Sequence, residues 1–391
     1  MSHRTGGHVR ILVTSTPGTG HLYPLVPLAL ELQAAGHELR WATAGESCPQ
    51  IERIGFRAAA AGLGLAERAH LVRERHLDLD RLPPRERRQA VVPVMFGEIA
   101  APPMLADLEE IVERFRPNLV VHDLTEFAAA PIAASRGIPH VTLAFGLAVP
   151  GALLSSLAAS VADIWDGIGL IPSESAGLYD HLYLSPVPES LGGPLPSRTA
   201  RPLRPMHFDG ASLTGPPPWI SEFGCNRPGV YVTFGTQVAD QAPWPEILAA
   251  LGTVDVDAIA TIGSGIEPST LGPIPANVRV EPFVPQSFVL DRASLVVSHG
   301  GSGTLFAVAA RGLPQLCVPI AADQWDNSDA LAAAGSGLTL EPLDRVTSTI
   351  SSALARLLGD PTFTNAAHRI AKDFVELPHP RELVEAVVSL A

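Results

Sequence analysis

The chain has 391 residues, more than a single hydrophobic core usually serves, so we expect two domains. Apolar residues make up 46% and charged residues 17%, a composition that suits buried parallel sheets and argues against a disordered chain. The formal net charge of −13 disfavours nucleic acid and anionic membranes as partners, and the three cysteines lack the number and spacing of a disulfide framework or a metal site.

The N-terminal half alternates predicted strands and helices. Its first residues do not form a secretory signal, and no uninterrupted apolar run is long enough to span a bilayer, so we expect a cytoplasmic protein. The predicted strands are VRILVTS, HELRWAT, RPNLVVHD and IPHVTLA, and a helix follows the first and the third of them. This alternation predicts βαβ units and a parallel sheet with helices on both faces.

Two stretches, 62–103 and 146–190, lack this regularity. They contain Phe96 and Trp165 among prolines and small residues, and Phe145 directly precedes the second stretch. Long irregular insertions in compact domains usually carry binding function. These three aromatic residues are therefore candidates for a pocket that holds a largely apolar ligand.

A segment rich in proline, glycine and arginine, at about 192–218, is the predicted linker between the domains. We assign residues 1–205 to an N-terminal domain and 206–391 to a C-terminal domain. After the linker the strands resume with GVYVTFGT, VDAIATIG, NVRVEPFV, ASLVVSHG and PQLCVPI, and TLFAVAARG is a predicted helix before the last strand. The helical tail HPRELVEAVVSLA can pack on the C-terminal domain or back on the N-terminal domain.

The turn PGTGHLYPL after the first strand is half of a dinucleotide-binding fingerprint. Gly18 and Gly20 fit G-x-G, but Tyr23 occupies the third glycine position and no acidic residue closes HELRWAT. The turn instead places His21 at the N-terminus of a helix, where the dipole disfavours imidazolium. A neutral imidazole can accept a proton, so His21 is a candidate general base, and a helix cap is the alternative.

Asp123 ends the predicted strand RPNLVVHD, at the edge that lines the ligand crevice in open α/β sheets. A carboxylate there could accept Nδ1–H from a histidine and fix its tautomer. The alternative is that Asp123, or Thr125, is the N-cap of the helix that follows. His122 points to the other face of the strand and is expected to pack.

The strongest signal is the stretch SHGGSGTLFAVAARG. A strand runs into two glycines and a helix begins at once, so the free amides of Gly301, Ser302, Gly303 and Thr304 point outward with the helix dipole behind them. This predicts a diphosphate site, with His299 and two hydroxyls as further donors. It is not a Walker A loop because no Gly-Lys-Ser/Thr follows, and a plain βα turn is the alternative.

Three shorter motifs complete the pattern. Asp323 and Gln324 follow a strand end and can bind sugar hydroxyls, although the same residues also start helices. VTFGTQ places a glycine and a hydroxyl at a strand end. FVPQ offers Val284 and Gln286, whose backbone and amide groups could contact a flat base, and for both motifs an ordinary loop is the alternative.

Taken together, GHLYPL, the HD pair at 122–123, FVPQ, HGGSGT and ADQWDN resemble the GT-B glycosyltransferases of family 1, in order and spacing across nearly the whole chain. The chain looks most similar to the actinomycete enzymes that decorate macrolides, enediynes and aromatic polyketides. The resemblance implies two Rossmann-like domains facing across a cleft. The N-terminal domain would hold the acceptor and the C-terminal domain a nucleotide sugar.

The resemblance also implies roles for single residues. His21 matches the catalytic base and Asp123 the residue that orients it. The other implied contacts are Thr236, His299, Gly301, Ser302, Gly303 and Thr304 for the phosphates, Val284 and Gln286 for the base, Asp323 and Gln324 for the donor sugar, and Phe96, Phe145 and Trp165 for the acceptor. Gly301 stands where plant members carry a tryptophan, and the following helix lacks their acidic ribose ligand, which fits the bacterial branch that often uses dTDP-sugars.

These inferences predict an inverting transfer of a (deoxy)hexose from a dTDP- or UDP-sugar to a hydroxyl of a largely apolar natural product, without a metal or another cofactor. A nucleotide-sugar epimerase or hydrolase, a catalytically silent glycosyltransferase-like partner protein and an oxidoreductase are the alternatives. The sequence leaves open the sugar, the acceptor, the attacking atom and whether the chain forms a homodimer.

Overall fold

A computed structural model describes residues 7–210, 215–235 and 237–391. The chain divides into two compact units, and neither is a continuous stretch of sequence. The first unit comprises Met1–Val187, Pro194–Met206 and Leu377–Ala391, and the second comprises Pro188–Gly193 and His207–Glu376.

Each unit is built on one parallel β-sheet. The seven strands of the first sheet are β1 (Arg10–Thr14), β2 (Glu38–Thr43), β3 (Arg57–Ala60), β4 (Leu119–Asp123), β5 (His140–Leu143), β6 (Leu182–Ser185) and β7 (Ala200–Pro202). The six strands of the second are β8 (Gly229–Thr233), β9 (Asp257–Thr261), β10 (Val278–Glu281), β11 (Leu295–Ser298), β12 (Gln315–Cys317) and β13 (Gly337–Thr339).

The strand orders are β3-β2-β1-β4-β5-β6-β7 and β10-β9-β8-β11-β12-β13. Both are doubly wound, so each sheet has a switch point, between β1 and β4 in the first and between β8 and β11 in the second. In register, Thr14 pairs with His122 and Ser298 pairs with Thr233. The prediction of two parallel-sheet α/β domains is therefore confirmed.

Helices connect the strands. In chain order they are α1 (Thr19–Leu22), α2 (Val26–Ala34), α3 (Cys48–Ile54), α4 (Leu65–Glu74), α5 (Arg87–Val92), α6 (Ala101–Phe115), α7 (Ala129–Ser135), α8 (Gly151–Ser160), α9 (Ala162–Gly167), α10 (Glu189–Gly192), α11 (Trp244–Leu251), α12 (Gln286–Leu290), α13 (Ser302–Ala309), α14 (Gln324–Ala333), α15 (Thr347–Gly359), α16 (Pro361–Glu376) and α17 (Pro380–Val388).

The cores lie on the faces of the sheets. In β8, Val230 and Val232 belong to the cluster that contains residues of α11 and α15, whereas Tyr231 belongs to the cluster that contains residues of α12 and α13. Successive side chains of a strand point to opposite faces, so the near-continuous apolar sequence GVYVT is what a strand covered on both sides requires. In the first unit, α17 packs against α2.

The stretch 62–103, expected to be irregular, is largely helical. Two helices, α4 and α5, lie within it, and a π-helix over Pro93–Ala100 joins α5 to α6. The resulting run Arg87–Phe115 is the one helix in the described ranges long and apolar enough to cross a membrane by length and composition, and only 39% of its most apolar window is buried. Its Met104, Leu108 and Val112 nevertheless belong to the core of the first sheet.

The π-helix packs against α8 at a glycine. A Cβ atom built on Gly97 would lie 1.9 Å from Ser160 Oγ and 2.8 Å from Ser160 Cβ. Real Cβ atoms do not approach other atoms so closely, so a side chain at position 97 has to push the two helices apart. Gly97 therefore sets the separation of these helices, next to the aromatic residue Phe96.

We predict that Gly97→Ala lowers the free energy of unfolding by about 1–3 kcal/mol, as over-packing does elsewhere. Ser160→Gly in the same chain should recover much of the loss, because it removes both atoms that the new methyl group meets. Urea unfolding of the two single variants and the double variant measures this coupling. The matched control is Gly151→Ala in α8, where no atom lies within 4 Å of the added Cβ. Equal losses in the single and double variants would contradict the assignment.

Candidate active site

His21 lies just beyond the carboxyl end of β1. The N-cap residue Gly18 has φ 108°, a conformation that favours glycine, and the amide of His21 donates to the Gly18 carbonyl oxygen at 3.0 Å. The predicted single helix after the turn is interrupted by a 3₁₀ helix, Tyr23–Leu25, because Pro24 and Pro27 have no amide hydrogen to donate. His21 is thus the third residue of a helix of four residues and not its cap.

Asp123, the last residue of β4, is fully buried. Its Oδ2 accepts the amide of Thr16 at 2.7 Å and the Thr16 hydroxyl at 3.3 Å. Its Oδ1 accepts the amide and the hydroxyl of Thr125, both at 2.6 Å. Burial would raise the pKa of this carboxyl, but His21 and these hydrogen bonds outweigh it and lower the pKa. Asp123 is therefore an ionised, acceptor-only group.

Thr125 stands between His21 and Asp123. His21 Nδ1 lies 3.6 Å from Asp123 Oδ1, beyond hydrogen-bond distance, but only 3.0 Å from the Thr125 hydroxyl oxygen. Because Thr125 gives its single hydroxyl hydrogen to the carboxylate, it can only accept from His21. A hydrogen on Nδ1 satisfies this contact, and in that tautomer Nε2 carries the lone pair.

Neither Asp123 nor Thr125 is the N-cap of the next helix. That helix, α7, begins at Ala129 with Ala128 as its N-cap, and the amide of Ala128 is bound by Glu126 Oε1 at 2.8 Å. Glu126 is 2% exposed, and burial raises its pKa to about 7. Glu126 has no signature in the sequence, since one acidic residue in a loop carries no signal of burial.

Two of the three predicted aromatic residues, Phe96 and Phe145, contact the ring of His21. The ring of Phe145 lies 4.9 Å from the imidazole edge-on, and the ring of Phe96 lies 5.7 Å away. Trp165 is 3% exposed and packs with Leu153 in the same core cluster that contains Phe96, which is 8% exposed. A Cβ on Gly177 would lie 3.0 Å from its indole ring. Its size and apolar surface explain the burial of Trp165, and the expected role of Trp165 in an acceptor pocket stays a prediction.

In the second unit, the predicted phosphate turn follows β11. Gly300 has φ 79°, and Gly301 is the N-cap of α13. The first amides of a helix have no intrahelical partner, so those of Ser302, Gly303 and Thr304 are available to an anion, with the helix dipole aligned behind them. This turn lies at the switch point of the second sheet, where open α/β sheets bind their ligands.

His299 adjoins this turn. Burial lowers its pKa to about 4 although the charge of Asp323 opposes the change, so the ring is neutral near pH 7. Its Nδ1 has no hydrogen-bond partner in the described part of the chain. A Cβ on Gly301 would lie 2.4 Å from Nε2, and one on Gly235 would lie 3.0 Å from Cε1. Both glycines are therefore needed to seat the ring beside the free amides.

The turn is braced by a side-chain network that the sequence only partly indicated. Ser302 donates its hydroxyl hydrogen to Asp323 Oδ2 at 2.6 Å. Asn327 donates from Nδ2 to the Gly300 carbonyl oxygen at 2.9 Å, to Ser302 Oγ at 3.0 Å and to Asp323 Oδ2 at 3.1 Å. The Ser302 hydroxyl is therefore engaged inside the protein, which corrects its expected use as a phosphate donor and leaves its amide for that role. Asn327 was missed because an asparagine inside a helix has no local signature.

The other predicted binding residues, Gln324, Val284 and Gln286, each use part of their side chain within the protein. Gln324 is 5% exposed, and its Oε1 accepts the amides of Ile320 and Ala321 at 2.7 and 2.8 Å, so its carbonyl end fixes the loop. Val284 has a core side chain, which leaves its backbone for a ligand. Gln286 starts α12 and donates from Nε2 to Thr304 Oγ1 at 3.1 Å.

Thr236, predicted to contact phosphate, lies outside the described residues. Within the described ranges, no group of three or more His, Cys, Asp and Glu side chains is placed to hold a metal ion.

Comparison with known proteins identifies relatives along nearly the whole chain. Residues 30–163 match the model of the N-terminal domain of erythromycin biosynthesis protein CIII-like proteins, and residues 245–390 match the model of their C-terminal domain. The L-demethylnoviosyl transferase of Streptomyces niveus is 32% identical over 97% of this chain and 98% of its own length.

Solved structures show the same relationship. The glycosyltransferase VinC in complex with dTDP matches with a TM-score of 0.81 and 27% identity, over 97% of this chain and 99% of its own. The glycosyltransferase SsfS6 of Streptomyces sp. SF2575, complexed with thymidine diphosphate, matches with a TM-score of 0.78 and 25% identity, also over 97% and 99%. The chain therefore belongs to the erythromycin biosynthesis protein CIII-like family and is a glycosyltransferase of the GT-B fold.

Proposed function

We propose that this enzyme transfers a (deoxy)hexose from a dTDP-sugar to a hydroxyl of a largely apolar natural-product aglycone, with inversion at the anomeric carbon and without a metal ion. The observation that carries the proposal is the chain of hydrogen bonds from His21 through Thr125 to the buried Asp123. The choice of donor is supported by two similar structures that are complexes with thymidine diphosphate, and the choice of acceptor by the erythromycin biosynthesis proteins whose domain models match this chain.

On the acceptor side, Nε2 of His21 removes the hydroxyl proton as the oxygen attacks. The imidazolium that forms keeps Nδ1–H directed at Thr125, whose own hydrogen bond to Asp123 connects it to a negative charge. A single displacement from the side opposite the diphosphate inverts the anomeric centre. The rings of Phe96 and Phe145 supply an apolar contact surface beside the base.

On the donor side, the diphosphate carries the charge that develops as the sugar leaves. The free amides at the start of α13 and its dipole stabilise that charge without rearrangement during the reaction. Neutral His299 adds one N–H donor beside Gly301. Backbone donors of this kind account for anion binding by a chain whose net charge is −13.

The direct test is an assay with dTDP-glucose and a panel of phenolic and macrolide acceptors, in buffer with and without EDTA. The proposal expects a β-linked product from this α-linked donor, read from the anomeric proton coupling, and equal rates in both buffers. Turnover of the donor without an acceptor at the same rate would instead indicate a hydrolase or an epimerase. An α-linked product would contradict inversion.

We predict that His21→Ala lowers kcat by about 10²–10⁴-fold, the usual contribution of a general base, while the Kd for dTDP changes little. Steady-state kinetics and calorimetry of dTDP binding measure the two quantities. His70→Ala is the matched control, because this histidine is 62% exposed on α4. An unchanged kcat in a folded His21→Ala protein would exclude the base.

We predict that Thr125→Val lowers kcat by about tenfold to a hundredfold, because a misplaced base loses its alignment with the attacked hydroxyl. Thr125→Ser should keep most of the activity, since it keeps the hydroxyl. The KM for the donor should be the same in both variants. If Thr125→Ser is as impaired as Thr125→Val, the hydroxyl is not the group that matters.

We predict that Gly301→Ala weakens dTDP binding by about tenfold or more, because the new methyl group displaces the His299 ring from beside the amides. Calorimetric titration with dTDP measures the change. The control is Gly265→Ala in the same unit, where no atom lies within 4 Å of the added Cβ. Unimpaired binding in Gly301→Ala would remove His299 and this turn from the diphosphate site.

A further inference from the structure

Arg68, on α4 of the first unit, is a buried cation without a complete set of partners. Its side chain is 6% exposed, and its Nη1 has no hydrogen-bond partner in the part of the chain that the structure describes. Buried charged groups are normally paired, because the loss of their hydration is otherwise uncompensated. A guanidinium nitrogen in this state needs a partner from outside the protein, either a water molecule or an atom of a ligand.

The surroundings of Arg68 compensate for its charge only in part. Its guanidinium carbon lies 4.9 Å from the centre of the Phe96 ring, a cation–π contact. Burial lowers the pKa of Arg68, and the charges of Asp123 and Glu46 oppose this without cancelling it. The ring of Phe96 thus holds the guanidinium in place, and Nη1 donates to no group in the described residues.

Arg68 lines a small cavity close to the proposed base. The cavity has a volume of about 20 Å³, and Thr16, Thr125, Glu126 and Phe96 also line it. A space of this size holds one water molecule or one oxygen atom of a larger ligand, and not a ring. The ring of Phe96 contacts both the guanidinium of Arg68 and the imidazole of His21, so one aromatic side chain joins the cavity to the base.

We propose that Arg68 binds an oxygen atom of the acceptor, a carbonyl, carboxylate or phenolate oxygen on a part of the molecule other than the attacked hydroxyl. This proposal rests on the proposed function, since it places the acceptor over Phe96 with its reacting hydroxyl at His21. The oxygen enters the cavity and accepts from Nη1. The aglycone is therefore apolar over most of its surface but carries an oxygen that fixes its orientation.

Such a contact selects among acceptors. A site built to donate to a substrate oxygen discriminates against an analogue that lacks it, because the donor then stays buried and unpaired. Phe96 and Phe145 accept many flat or branched apolar surfaces, whereas the cavity accepts one oxygen in one place. Regiochemistry then follows from the spacing between that oxygen and the hydroxyl that reaches His21.

The test uses three naphthols that share one hydroxyl and differ at the distant ring position: 2-naphthol, 6-acetyl-2-naphthol and 6-hydroxy-2-naphthoate. Binding to the full-length protein in the presence of dTDP is measured by titration of naphthol fluorescence. We expect the acetyl and carboxylate probes to bind about tenfold more tightly than 2-naphthol, as a charge-assisted hydrogen bond predicts. Equal affinities for the three probes would mean that the cavity holds only water, and would overturn the proposal.

Variants assign the difference to Arg68. Arg68→Gln should reduce the advantage of the two oxygen-bearing probes to about twofold or less, with little change for 2-naphthol. Arg73→Gln, an exposed position on the same helix, should leave the three affinities as they are. A uniform loss of affinity in Arg68→Gln would show that Arg68 only supports the fold.

A second variant separates a ligand site from a structural role. Arg68→Met keeps a long side chain over Phe96 and removes an incompletely paired buried charge, so its Tm should equal or exceed that of the parent by about 2 °C. A lower Tm would mean that the charge stabilises the fold, contrary to the proposal. These readouts need binding alone, so a protein that binds the probes through Arg68 but transfers no sugar would refute the proposed function and not this inference.

Discussion

The arrangement of the first unit's site follows from the hydrogen-bonding needs of one buried carboxylate. Asp123 has no contact with solvent, and in the ionised state it must accept hydrogen bonds on both oxygens. Thr16, just beyond the end of β1, donates to Oδ2, and Thr125, two residues beyond β4, donates to Oδ1. Satisfying the charge therefore ties together the two loops at the switch point of the sheet, and the imidazole of His21 is held at their junction.

The second unit meets a similar electrostatic requirement by different means. In the proposed mechanism the charge to be stabilised belongs to the donor diphosphate, and the protein offers main-chain amides at the start of α13. Main-chain donors can be directed only if the turn is rigid, and Asn327 provides that rigidity by binding Gly300, Ser302 and Asp323 at once. The polar side chains of the HGGSGT and ADQWDN motifs thus act largely on each other, and the first amides of α13 stay available for the proposed diphosphate contact.

Much of the fold was predictable, because long parallel strands covered on both faces have a distinctive apolar sequence. The strand ends also placed His21 and Asp123 at one edge of the sheet and the glycine turn at the edge of the other. The helical nature of 62–103 was not predictable from composition, since prolines at the first positions of helices look the same as prolines in loops.

The finer geometry of the site was beyond sequence reasoning for a related reason. His21 contacts Asp123 through Thr125 because the direct Nδ1–Oδ1 distance is a fraction of an ångström too long for a hydrogen bond. Tertiary packing sets that distance. The close packing of Trp165 against Gly177 also has no signal in the local sequence. The Ser302 hydroxyl likewise donates to Asp323, a residue 21 positions later in the chain. A local motif does not indicate such a contact.

The division of the chain has a consequence for how the protein is made. The last fifteen residues belong to the first unit, where α17 packs on α2 and His379 begins the helix with a capping box. During synthesis α17 therefore reaches the first unit only after His207–Glu376 of the second unit has been made. A chimaera that combines the N-terminal half of one relative with the C-terminal half of another should take α17 from the same relative as the N-terminal half. Otherwise α2 packs against a helix from a different protein.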